Sequence, residues 1–325
     1  MYTKDHDKMV EDKCYTIKHM EKVLQKIIAN FPLYFDKYLK SQKTTIPEEY
    51  IDKLRDRFMV DSNRKQLVFD EKRAFQELTR EAIIDFNRDT EGYRELFDEE
   101  ALEEYKDDPQ EFKKYALGIQ TSIIRKTIQN KYAKELDKFR AAFSRANAND
   151  LLMVVTSLAN FSRDYVSRSY NKDTFEKIIF YKDFGFTVLD TEEYTAHGVI
   201  GGGIRSTMLY KNFPEVFPCR SRMSIWALWY LVDKDTFGCS MDSEFLMIDI
   251  NKNFIQQNYF YPYELFAFYA LQIYLLIKKE AEKLGVSIDV AYRFVYVEAF
   301  LNFVANQHIE SINELSKHDN EDAYV

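Results

Sequence analysis

Glu264-Leu265-Phe266-Ala267-Phe268-Tyr269-Ala270-Leu271-Gln272-Ile273-Tyr274-Leu275-Leu276-Ile277 is the stretch on which the fold turns. Its apolar run, Leu265 to Ile277, is broken only by Gln272. A membrane span needs ~20 apolar residues, so the run reads instead as a helix buried in a protein core. The helix is expected to extend to Leu284 and to stop at Gly285, which suits a left-handed C-terminal cap. Ser287 then stands where an N-cap would open a second helix, Ile288 to His308. With only 9 glycines and 6 prolines in 325 residues, such helices predict a mainly α protein of the α+β class.

Working outward from this pair, helical periodicity recurs. Val10, Cys14, Ile17, Leu24, Ile28 and Phe31 share one stripe in a segment from Lys8 to Leu39, which Pro32 is expected to kink or end. Arg57 to Asp61 and Lys65 to Phe69 flank a polar Ser62-Asn63-Arg64 turn and predict a hairpin. Asp70 suits the N-cap of the next helix. Phe112 to Phe143 traces a single long helix with a basic outer face. Asn147-Ala148-Asn149-Asp150 is the clearest break, so a helical region (1–149) and an aromatic-rich α+β core domain (150–325) are expected. Within the latter, Phe175 to Asp190 predicts one or two strands, Ser224 to Leu231 a buried helix and Glu244 to Ile250 a strand.

Composition narrows the functional classes. A net charge of −8 disfavours attraction to nucleic acid by bulk charge, leaving only a local basic groove. The acidic stretch Asp85 to Asp108 reads either as a solvated face or as a docking surface for a protein partner. Cys14, Cys219 and Cys239 are far apart in no CxxC spacing, which supports neither a disulfide frame nor a zinc site. The first ten residues are charged and lack an apolar h-region, so a cytoplasmic protein without membrane contact is expected.

One stretch stands out chemically. Ala196-His197-Gly198-Val199-Ile200-Gly201-Gly202-Gly203-Ile204-Arg205-Ser206 holds four of the nine glycines with a histidine and an arginine. Gly201, Gly202 and Gly203 ahead of a helix would offer main-chain N–H groups and a helix dipole to a phosphate or carboxylate. Arg205 would clamp that anion, joined by Arg220 and Arg222 from Phe217-Pro218-Cys219-Arg220-Ser221-Arg222. The spacing is neither a P-loop nor a dinucleotide fingerprint. A tight turn where a helix packs on its neighbours reads equally well. Adjacent guanidinium groups would activate Cys219, whereas a buried cysteine is a small hydrophobe.

Two resemblances bear on chemistry. Asp242, Glu244, Asp249 and Lys252 resemble the acidic and lysine set of metal-dependent nucleases, which would imply a bound divalent metal. Asp249-Ile250-Asn251-Lys252 is one residue longer than the Asp/Glu-x-Lys spacing of those enzymes. His197-Gly198 with a downstream Glu244 is similar to the pair with which ADP-ribosyl transferases hold nicotinamide ribose, and no residues carry over. The expected function is engagement of a phosphate-bearing ligand, nucleic acid or nucleotide. Should the protein be a nuclease or other hydrolase, His197, Glu244 and Asp249 are the chemically active side chains. The alternative is a non-enzymatic helical interaction or regulatory subunit.

Overall fold

A computed structural model describes residues 12–42, 69–132, 136–239, 245–251 and 254–316. The fold is mainly α, with fourteen α-helices and one two-stranded antiparallel sheet among the described residues. The hairpin expected between Arg57 and Phe69 lies almost wholly outside them.

In chain order, α1 (Ile17–Ser41) opens on Thr16, whose side chain accepts from His19 N, and passes through the exposed Pro32 without ending. α2 (Glu71–Asn87) starts at Asp70, whose carboxylate accepts from Arg73 N at 3.0 Å, as the sequence predicts. There follow α3 (Thr90–Leu96), α4 (Glu99–Glu104), α5 (Pro109–Glu111), α6 (Ser122–Gln129), α7 (Asp137–Arg145), α8 (Ala148–Asp164) and α9 (Lys172–Phe175). The second half contributes α10 (Gly202–Asn212), α11 (Arg222–Leu231), β1 (Met247–Asn251), β2 (Phe254–Gln257), α12 (Tyr263–Lys283), α13 (Arg293–Asn306) and α14 (Ile309–Ser316).

Two expected elements come out differently. The long helix from Phe112 to Phe143 is a π-helical turn, Phe112–Gln120, followed by α6 and α7. Thr121 breaks it by taking extended backbone while its N–H and hydroxyl both donate to Ala116 O, at 3.1 and 2.8 Å. The strands expected from Phe175 to Asp190 are 3₁₀ turns, Tyr181–Phe184 and Thr187–Asp190. Their apolar residues are buried three apart, Tyr181 with Phe184 and Phe186 with Leu189, which is the 3₁₀ period and not the strand period.

The core is built on α11, α12 and α13, with α1 lying against all three. Tyr263 to Leu271 are buried without interruption, so α12 is apolar on every side, as its sequence predicts. It closes in a Schellman motif: Gly285 N donates to Glu282 O, Val286 N to Ala281 O, and Gly285 takes φ +63°. The chain then enters α13 through a 3₁₀ turn, Val290–Tyr292, which is capped by Asp289 and not by Ser287, its carboxylate accepting from Ala291 N at 2.9 Å. Arg293, fully buried, is held there by Glu176 and the carbonyl of Glu215, between the rings of Phe175 and Tyr274. One contiguous hydrophobic cluster runs from Cys14 to Ile312.

Candidate anion-binding site

The glycine cluster divides into a turn and a helix start. Ala196 and Ile200 pair across a short turn in which Val199 N and Ile200 N both donate to Ala196 O. Gly198 takes φ +76° there, a left-handed conformation that disfavours a side chain. His197 is carried exposed on this turn. Gly201 is the N-cap of α10, with extended backbone (φ −95°, ψ −175°), and no side chain caps it. The first helical bond is Arg205 N to Gly201 O at 2.9 Å, so the N–H groups of Gly202, Gly203 and Ile204 have no partner within the helix. Gly201 is exposed and the next three residues are half-buried.

Arg205 and Arg220 come together beneath this helix start. They are only 4% and 3% exposed. Arg205 donates through Nη2 to Asp190 Oδ1 and through Nη1 to Thr195 Oγ1 at 3.0 Å. The other Asp190 oxygen accepts from Tyr263 N at 2.9 Å, so the first amide of α12 helps fix that carboxylate. Arg220 has a different environment. Its Nη2 donates to the main-chain oxygens of Asn258 (3.2 Å) and Tyr259 (2.9 Å), where the chain leaves β2. Its own N–H donates to Ser206 Oγ at 3.0 Å, and Ser206 in turn donates to Gly203 O, tying residue 220 to the first turn of α10.

The two guanidinium groups meet at Gly202. A Cβ on Gly202 would lie 2.5 Å from Arg220 Nη1 and 3.8 Å from Arg205 Nη2. A side chain cannot occupy that position with Arg220 in place, which is why glycine is needed there. The electrostatics are lopsided. Burial, the largest influence, pushes the Arg220 guanidinium down to about 10; Asp190 opposes that and neighbouring Arg205 adds to it. Burial likewise lowers Arg205, against the pull of Asp190. Asp190 contacts one guanidinium directly, and Arg220 is met only by neutral carbonyls. Both arginine Nε atoms are buried without a hydrogen-bond partner. The result is buried positive charge in excess, beside the positive end of a helix dipole.

No protein-family model, curated protein or solved structure matches the chain. The site therefore has to be read from its own geometry.

The remaining predicted site residues are dispersed. Arg222 is the exposed first residue of α11. Asp249 sits in β1 opposite Ile255, and Glu244 lies outside the described residues. Cys219 is buried, and burial first, then Glu298, pushes its thiol well above the ordinary range, so the neighbouring arginines do not activate it. Glu298 accepts from Ser224 Oγ (2.8 Å) and Asn302 Nδ2 (3.2 Å), a polar pair inside an apolar helix. In the acidic stretch, Asp98 and Asp108 cap α4 and α5, and Asp89 pairs with Lys211. Lys211, one of the four basic residues between His197 and Trp229, is therefore held internally by Asp89 and the carbonyl of Phe86.

Sequence reasoning missed Asp190, Thr195, Asn258 and Tyr259. Asp190 does carry a signal, a lone carboxylate closing the apolar Val188-Leu189 pair. The two carbonyl acceptors carry none, because any residue supplies a carbonyl.

Proposed function

We propose that the N-terminus of α10 binds the phosphate group of a nucleotide or nucleic acid, with the N–H groups of Gly202, Gly203 and Ile204 as donors and Arg220 as counter-charge. The observation that carries this reading is the placement of Arg220 Nη1 at Gly202, with carbonyls as its direct partners and the nearest carboxylate, Asp190, bound to Arg205. Uncompensated buried charge is costly, and an anion at the helix start would lower that cost while accepting from main-chain donors. Arg205 contributes mainly by holding Asp190 and by adding to the local field. Such a ligand would be recognised through its phosphate. His197, exposed on the turn that precedes α10, is a candidate for contacts to the rest of the ligand.

The testing variant is Gly201→Asp. A Cβ on Gly201 meets nothing within 4 Å, and its extended backbone suits a capping aspartate. The new carboxylate would take the donors that a phosphate needs. Thermal shift is measured with inorganic phosphate, a nucleoside triphosphate and a short oligonucleotide at low salt. Ligand at about 100-fold over Kd adds ~2.7 kcal/mol. At ~2.1 cal/mol/K of unfolding entropy per residue, that is about 4 °C for this chain. The native protein should show such a rise with at least one of these ligands, and Gly201→Asp should show none while melting no lower than the native protein. Absence of a rise with all three on the native protein would overturn the proposal.

A further inference from the structure

Cys14 and Cys239 are 225 residues apart in sequence, yet their Sγ atoms lie 3.4 Å from each other. His19 joins them: one ligand atom from each of the three residues lies within 4.8 Å of the other two. We infer that Cys14, His19 and Cys239 form a binding site for a single thiophilic divalent metal ion, zinc being the ion that fits best. This site is independent of the anion site at α10.

The geometry is that of metal ligation more than of a disulfide. Tetrahedral zinc with bonds of about 2.3 Å to sulfur holds two thiolates roughly 3.8 Å apart. The observed separation is close to that, and well beyond the ~2.05 Å of a covalent S–S bond. Cys₂His is a common zinc set with its fourth position open to water or an anion. Charge agrees as well. Two thiolates, a neutral imidazole and Zn²⁺ sum to zero, which suits an apolar pocket. Binding displaces one proton from each thiol.

The surroundings support such a centre. Cys14 and His19 are buried and Cys239 is half-buried. The His19 ring is packed edge-on against Phe237 at 5.4 Å and Phe245 at 5.3 Å, which fixes its plane. The rings of Tyr261 and Tyr269 pack on Phe245 at 5.6 and 6.3 Å. The loop that presents Cys239 is joined to the segment carrying Cys14, since Lys13 Nζ donates to Gly238 O. Solvent reaches this side of the molecule: Phe237 and Gly238 line a cleft of about 470 Å³ with Lys22, Gln25, Lys26 and Asp235.

The test uses the full chain, purified and reduced under anaerobic conditions. Elemental analysis after incubation with zinc and desalting should give one zinc per chain. Cobalt(II) substitution should give thiolate charge-transfer absorption and the ligand-field bands of a tetrahedral site. Cys239→Ser, on the half-buried loop, should lose stoichiometric metal while keeping the native circular dichroism; Cys219→Ser should keep both metal and spectrum. Thiol titration should find Cys239 protected by zinc and exposed by chelator. Failure of the native protein to retain zinc or cobalt, or equal retention by Cys239→Ser, would overturn the inference. So would a Cys14–Cys239 disulfide in place of metal, seen as a mass two hydrogen atoms lower after exposure to air without reductant.

Discussion

Replacing Asp190 by asparagine tests the charge arrangement beneath α10. The carboxylate accepts from Arg205 through one oxygen and from Tyr263 N through the other. Asparagine keeps the shape but has one acceptor, so its NH₂ must face a donor, either the guanidinium or the amide. The buried Arg205 loses its counter-charge, and Arg220 beside it loses the only nearby carboxylate that holds its charge up. Breaking a fully buried ion pair costs about 3–5 kcal/mol, but the Asp190 side chain is 35% exposed and solvent screens it, so a loss of about 2 kcal/mol is expected. Unfolding entropy of ~2.1 cal/mol/K per residue gives about 0.7 kcal/mol/K for this chain. The melting temperature should therefore fall by about 3 °C. Scanning calorimetry on Asp190→Asn and the native protein measures this directly. Phosphate should recover part of the loss in the variant, because an anion at Gly202 restores the missing charge. A change under about 1 °C would refute the premise that this network holds uncompensated positive charge.

Other predictions concern sites away from the anion. His308 stacks on Tyr230 at 3.8 Å and shares a 2.7 Å hydrogen bond with the Tyr34 hydroxyl, and burial lowers its pKa, helped by Lys37 and Lys234. Its contribution to stability is complete above the unfolded value of about 6.5 and is lost as pH falls below it, since the unfolded chain takes the proton first. Melting curves from about pH 7.5 to 5.5 should fall more steeply for the native protein than for His308→Gln. Burial raises Glu298, so its contribution is greatest below about pH 4.3 and is lost as pH rises through the folded value. Glu298→Gln should gain stability over the native protein as pH rises, and a flat difference in melting temperature across pH would count against this. Gly285→Ala should cost about 1–2 kcal/mol in denaturant unfolding from its left-handed backbone alone. A Cβ there would meet nothing nearer than Lys72 Nζ at 3.6 Å.

What the sequence discloses, and what it hides, follows from the range of each interaction. Asp70, Asn147 and Gly285 announce helix ends because caps act within three or four residues. The buried helices α11 and α12 are legible because their apolar residues are consecutive. Phe175 to Asp190 misleads because an apolar run without a ladder partner packs equally well as 3₁₀ turns. The same distance limit applies to the sites. Three glycines before Arg205 mark the start of α10, but the carboxylate that pairs with Arg205 and the carbonyls that hold Arg220 come from residues 190, 258 and 259. Spacing rules for zinc cannot find Cys14 and Cys239, whose approach exists only after the chain folds.

Glycine-selective ¹⁵N labelling is the most direct measurement on the anion site, because the chain has only nine glycines. On titration with phosphate or a nucleotide, the amide resonances of Gly202 and Gly203 should move saturably, with those of Gly92, Gly118, Gly185, Gly238 and Gly285 unchanged. Resonances of Gly202 and Gly203 that stay fixed at saturating ligand would contradict main-chain anion binding at α10.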